Sequence, residues 1–77
     1  MNPRFPRVSG EEFLRFLRDK GFVVIRIKGS HHVLRNATGK MVVIPVHKGE
    51  TLGIGLVRKI LHEAGIPLTD YQNYFLD

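Results

Sequence analysis

Phe22-Val23-Val24-Ile25-Arg26-Ile27-Lys28-Gly29-Ser30-His31-His32-Val33-Leu34-Arg35 is the stretch that decides the fold. From Phe22 to Lys28 it is rich in β-branched side chains and alternates towards its end, which predicts a strand. Gly29-Ser30 supplies a turn, because glycine can open a type II′ hairpin without steric cost. His31 to Asn36 continues as a second strand, so the whole reads as a β-hairpin. With a two-residue loop, Lys28 faces His31 across the ladder and Ile27 faces His32. In that register His32 shares a face with Val23, Ile25, Ile27 and Leu34, while His31 joins Arg26, Lys28 and Arg35 on the other.

Towards the C-terminus, Asn36-Ala37-Thr38-Gly39-Lys40 marks a second turn and Met41-Val42-Val43-Ile44-Pro45-Val46 a third strand. Pro45 has no N–H to give a ladder, so its nitrogen must face an edge or a strand end. His47-Lys48-Gly49-Glu50 is a loop leading to Thr51, a candidate helix cap. Leu52, Leu56, Val57, Ile60, Leu61 and Ala64 then recur at helical spacing, with Arg58, Lys59, His62 and Glu63 turned outward, until Gly65 and Pro67 stop the helix.

Towards the N-terminus, Ser9 and Glu12 have the spacing of a capping box, with Val8 and Phe13 placed as its hydrophobic staple. Phe13, Leu14, Phe16 and Leu17 form an apolar stripe opposite Arg15, Arg18 and Asp19, and Lys20-Gly21 ends this helix. The order is α-β-β-β-α, an α+β fold with a three-stranded antiparallel sheet and two helices on one face. Residues 1–7, which hold Pro3 and Pro6, read as an irregular lead-in, and 8–66 as the domain. Residues 67–77 read as a tail carrying Tyr71, Tyr74 and Phe75, able to pack back as a short helical turn; whether these rings close the core or make an interface stays open.

Seventy-seven residues make one domain, near the lower size for a stable core. The absence of cysteine excludes disulfides and thiolate metal sites, so packing must supply the stability. No run approaches the roughly 18 apolar residues of a membrane span, and Met1 to Gly10 lacks the apolar segment of a signal peptide. A cytoplasmic protein without a membrane partner is the expectation. Twelve Lys and Arg against seven Asp and Glu leave a net charge of +5. Between Asp19 and Glu50 there is no acidic residue at all, whereas Lys20, Arg26, Lys28, Arg35, Lys40 and Lys48 lie there with His31, His32 and His47. Such a stretch attracts polyanions and speeds their encounter.

Histidine exchanges its proton nearest neutral pH. At the hairpin end of the helix-covered face, His32 is expected to be partly buried with its ring edge in a cleft. Cleaving RNA without a metal needs a base for the 2′-OH that attacks the neighbouring phosphate, and cations for the developing phosphorane charge. Lys28, Arg26 and Lys48 can supply those cations, and Gly29 and Ser30 offer backbone donors that a phosphate can approach. His47 is a candidate second site residue, and His62 a solvated one. Other chemistries fit less well. Neighbours on a strand point to opposite faces, so His31 and His32 cannot chelate one metal, and Ser30 with His31 makes no nucleophile–base pair. Phosphate-loop and dinucleotide fingerprints are absent. From the residues alone three functions remain open: an RNA-cleaving enzyme, a binding module for structured RNA, and a basic domain for an acidic protein partner.

The segment Arg26-Ile27-Lys28-Gly29-Ser30-His31-His32 resembles the signature of the HicA, or YcfA-like, toxin family. The resemblance extends through Ser9-Gly10, Lys20-Gly21-Phe22, Val43-Ile44-Pro45-Val46-His47, Leu56-Val57-Arg58-Lys59-Ile60-Leu61 and Ala64-Gly65-Ile66, from about Val8 to Ile66. It implies a fold similar to the double-stranded-RNA-binding domain. It also implies a toxin that cleaves mRNA independently of ribosomes, needs no metal or other cofactor, and is silenced by a HicB-type antitoxin. The family pattern Gly-Ser-x-His puts the catalytic histidine on His32 and the variable position on His31. The expected RNA contacts are Arg26, Lys28, Gly29, Ser30, His31, Arg35, His47 and Lys48.

Overall fold

Ser9 starts the first regular element, α1 (Gly10–Asp19), in a computed structural model that describes residues 5–76. Its hydroxyl accepts from the Glu12 N–H at 3.1 Å, and the Glu12 carboxylate accepts from the Ser9 N–H at 2.8 Å. Two of the amides that a helix start leaves unpaired are thereby satisfied. Val8 and Phe13 are both buried in the core, completing the staple. Replacing Ser9 by alanine should cost about 1 kcal/mol, read as a lower urea midpoint; an unchanged midpoint would mean the cap contributes nothing.

Gly21, at φ 95°, turns the chain out of α1 into β1 (Val23–Lys28). With β2 (His31–Arg35) and β3 (Met41–Pro45) this strand forms an antiparallel sheet of order β1-β2-β3. At the hairpin the register is the expected one, Lys28 opposite His31 and Ile27 opposite His32. Further along, a bulge between Val24 and Arg26 changes the pairing, so that Val24 faces Leu34 and Val23 faces Arg35. Val23 therefore does not share His32's face as expected, and Ile25, inside the bulge, has no cross-strand partner. The extra residue in β1 reverses the alternation, which puts Val24 on the covered side and Val23 on the open one. Pro45 sits on an edge strand, where its missing N–H disrupts no ladder.

The second covering helix, α2, runs Ile54–Ala64 and ends at Gly65, φ 71°. It starts later than Thr51 suggests. Gly53 occupies the cap position without a side-chain bond. Thr51 instead bridges to Ser9, and the Leu52 N–H donates to the Val8 carbonyl at 2.8 Å. The chain before α2 is thus used to clamp the start of α1. Phe13, Phe16 and Leu17 of α1, Leu34, Val42 and Ile44 of the sheet, and Val57, Ile60, Leu61 and Ala64 of α2 form one buried cluster.

The aromatic tail is more than a turn. Leu68–Phe75 form a third helix, α3, and Tyr71 is fully buried in the same cluster. The Tyr71 ring meets Phe13 and Phe16 edge-on at 5.8 and 5.7 Å, and its hydroxyl donates to the Pro6 carbonyl. Tyr74 packs on Phe16 at 4.9 Å and donates to Asp19, while Lys20 pairs with Asp70 at 3.5 Å. Tyr71 and Phe75 close the core with their rings, and Tyr74 seals the seam with α1.

Candidate active site

Three segments meet at one end of the sheet: the Gly29-Ser30 turn, the start of β2, and the chain leaving β3. Gly29 lies at φ 59°, a conformation that strains any residue with a side chain. The Ser30 carbonyl accepts from the Val46 N–H at 2.7 Å, so the β2–β3 ladder continues one step past Pro45. His47 follows directly on this last ladder bond. Lys48 follows in a turn closed by the Glu50 N–H on the His47 carbonyl at 3.1 Å, with Gly49 at φ 80°.

His32 is the one histidine of this end that points to the helix side. Its cross-strand neighbours are Ile44, fully buried, and Ile27, which is 58% exposed. Both helices pack closest to β3, so the hairpin end of β1 is left uncovered and the His32 ring stands half-buried at the margin. Its Nδ1 lies 3.4 Å from the Ser30 carbonyl. A carbonyl oxygen can only accept, so this contact is a hydrogen bond in the tautomer with its proton on Nδ1, which leaves the lone pair on Nε2. A ring nitrogen with a free pair is what a general base requires.

The remaining residues divide by position. Lys28, His31, His47 and Lys48 are exposed around the turn, and His31 stands between Lys28 and Pro45 on the open face. Arg26 is one row further in, opposite Val33. Arg35 is at the far end of β2, between Val23 and Met41, about 13 Å along the strand from His31 at about 3.3 Å per residue. The turn thus brings Lys28, Gly29, Ser30, His31 and His32 together, and His47 and Lys48 follow the last ladder bond at Val46; Arg26 is adjacent and Arg35 is apart. The sequence puts Val46 at the end of the third strand but signals no part in the site for it, whereas its N–H holds the Ser30 carbonyl. Reading the sequence missed Ile27 as exposed apolar floor beside His32. A groove between α1 and α3, lined by Ser9, Glu11, Glu12, Arg15, Tyr74 and Phe75, carries two carboxylates and suits a polyanion poorly.

A family model described as the HicA toxin of bacterial toxin–antitoxin matches residues 10–66. The chain belongs to the HicA toxin family. Membership makes it the toxin side of a toxin–antitoxin pair. The HicA match contains the whole turn region and stops short of α3. No curated protein matches the chain. Among the described residues no helix is long and apolar enough to cross a membrane.

Proposed function

We propose that this HicA toxin is an endoribonuclease that cuts mRNA without a metal, with His32 as the general base. One observation carries the proposal: a half-buried histidine whose Nδ1 faces a backbone carbonyl, at a rim where turn amides and lysines gather. In the reaction Nε2 takes the proton of the 2′-OH, and O2′ bonds to phosphorus. The P–O5′ bond then breaks, leaving a 2′,3′-cyclic phosphate on one fragment. The proton returns from the imidazolium, or from His47, to the departing O5′. Lys28 and Lys48 reach the phosphorane charge from the rim, and the Gly29 and Ser30 amides offer it hydrogen bonds. Arg26, His31 and Arg35 provide a track along the open face for phosphates further along the strand. A HicB-type antitoxin silences the toxin in the cytoplasm, where its mRNA substrate is found. All residues assigned to RNA lie within 8–66, the RNA-acting domain of this reading.

The test is incubation of unstructured RNA with wild type and with His32→Ala, EDTA present throughout. Wild type should yield fragments with 5′-hydroxyl and 2′,3′-cyclic phosphate ends, and His32→Ala should not. Equal cleavage by both would remove His32 from the chemistry. Salt-sensitive RNA retention with no product from either protein would mark a binding module instead.

A further inference from the structure

We propose that Gly10 is a positioning residue for His32, a role that rests on His32 serving as the base. Gly10 is the first residue of α1 and is buried. Its φ is not positive, so the helix itself does not ask for glycine; an alanine there would satisfy the backbone better. The requirement comes from its neighbours. A Cβ on Gly10 would lie 2.7 Å from the Pro45 carbonyl oxygen, 3.0 Å from the Val46 Cα and 3.3 Å from the Val46 Cγ2. The first two are backbone atoms, which cannot rotate aside.

What Gly10 lets into place is the peptide that orients the histidine. The Val46 N–H donates to the Ser30 carbonyl at 2.7 Å, and the same oxygen faces His32 Nδ1 at 3.4 Å. The contact sequence is continuous from helix to catalytic ring: Gly10 on Val46, Val46 on Ser30, Ser30 on His32. α1 cannot retreat to make room, because the Ser9–Thr51 bridge and the Leu52–Val8 hydrogen bond hold its first turn. A methyl group on Gly10 must therefore displace the Pro45-Val46 peptide. The Ser30 carbonyl then loses the donor that fixes it, and the ring loses the acceptor that keeps the proton on Nδ1. The neutral ring relaxes to a mixture of tautomers, and only part of the population presents a lone pair on Nε2.

Ring-¹⁵N-labelled full-length protein without RNA, at a pH where imidazole is neutral, tests this directly. In wild type the His32 shifts should report a protonated Nδ1 and a bare Nε2; in Gly10→Ala they should move towards the average of the two forms. A wild-type ring protonated on Nε2 would overturn the proposal, and so would unchanged shifts in a folded Gly10→Ala. A Gly10→Ala chain that fails to fold also overturns it, since the contact would then hold the fold rather than the histidine. On RNA, Gly10→Ala should lower kcat about tenfold to a hundredfold, with KM within about twofold of wild type. The two readings fail differently. Full activity of His32→Ala removes the base and leaves the tautomer result standing. Unchanged shifts beside an inactive His32→Ala keep the base and remove Gly10.

Discussion

Replacing Tyr71 by alanine should cost about 3–5 kcal/mol, most of the stability that a domain of this size possesses. The ring is fully buried and packs against Phe5, Phe13, Phe16 and Phe75, rings that come from the lead-in, α1 and α3. Without it the two ends of the chain lose their common anchor on α1, and the Pro6 carbonyl loses its donor. Urea unfolding followed by circular dichroism measures the loss; a change below about 1 kcal/mol would mean that α3 is dispensable to the core. A companion variant isolates the hydroxyl. Burial, with a lesser contribution from Glu12 and against the pull of Arg7, pushes the Tyr71 hydroxyl from 10 up to about 12. The folded protein therefore keeps a proton that the unfolded chain releases from pH 10 upward. Stability is complete below pH 10 and falls as the pH rises to about 12, by about 1–2 kcal/mol after a discount for solvent screening. Tyr71→Phe should be less stable than wild type at neutral pH by about 1 kcal/mol, yet flatter across that alkaline window.

His32→Ala should lower the rate of RNA cleavage by about two to four orders of magnitude while leaving the fold nearly untouched. The ring is half-buried at the margin of the helix layer, and among the described residues its polar contact is the Ser30 carbonyl, which keeps the Val46 N–H as a donor. Stability should change by less than about 1 kcal/mol. His31→Ala is the matched control, because the two histidines are adjacent in sequence but point to opposite faces. Its rate should stay within about threefold of wild type, the change expected of lost phosphate binding rather than lost proton transfer. Initial rates of fragment release with EDTA present compare the two. A larger loss in His31→Ala would move the chemistry to the open face of the sheet.

Much of the site was legible because its register depends on local rules. Gly29-Ser30 permits only a tight turn, and a tight turn settles which residues face each other for several positions on either side. Lys28 opposite His31 and Ile27 opposite His32 follow from that alone, and the structure has both. The same rule fails four residues further from the turn. Val23, Val24 and Ile25 are all apolar, so no change in pattern reveals the bulge that swaps their faces. Thr51 misled for a related reason: its hydroxyl and position suit a cap, but a backbone bridge to Ser9 takes the residue and α2 begins later. The tail could be seen to be aromatic, whereas its burial depends on where α1 puts Phe13 and Phe16.

The elements whose causes are local can be read directly from the residues. These are the Ser9–Glu12 cap, the hairpin at Gly29-Ser30, the two amphipathic helices, and the acid-free stretch that surrounds the turn. That His32 stands at the uncovered margin of the sheet with Nδ1 on the Ser30 carbonyl is a result of tertiary packing. The same packing decides that α1 meets the end of β3 through Gly10 and that Tyr71 completes the core. The difference lies in the range of the forces. Caps and turns are settled by hydrogen bonds within a few residues, while burial and close backbone approach arise only when segments distant in the chain compete for the same space.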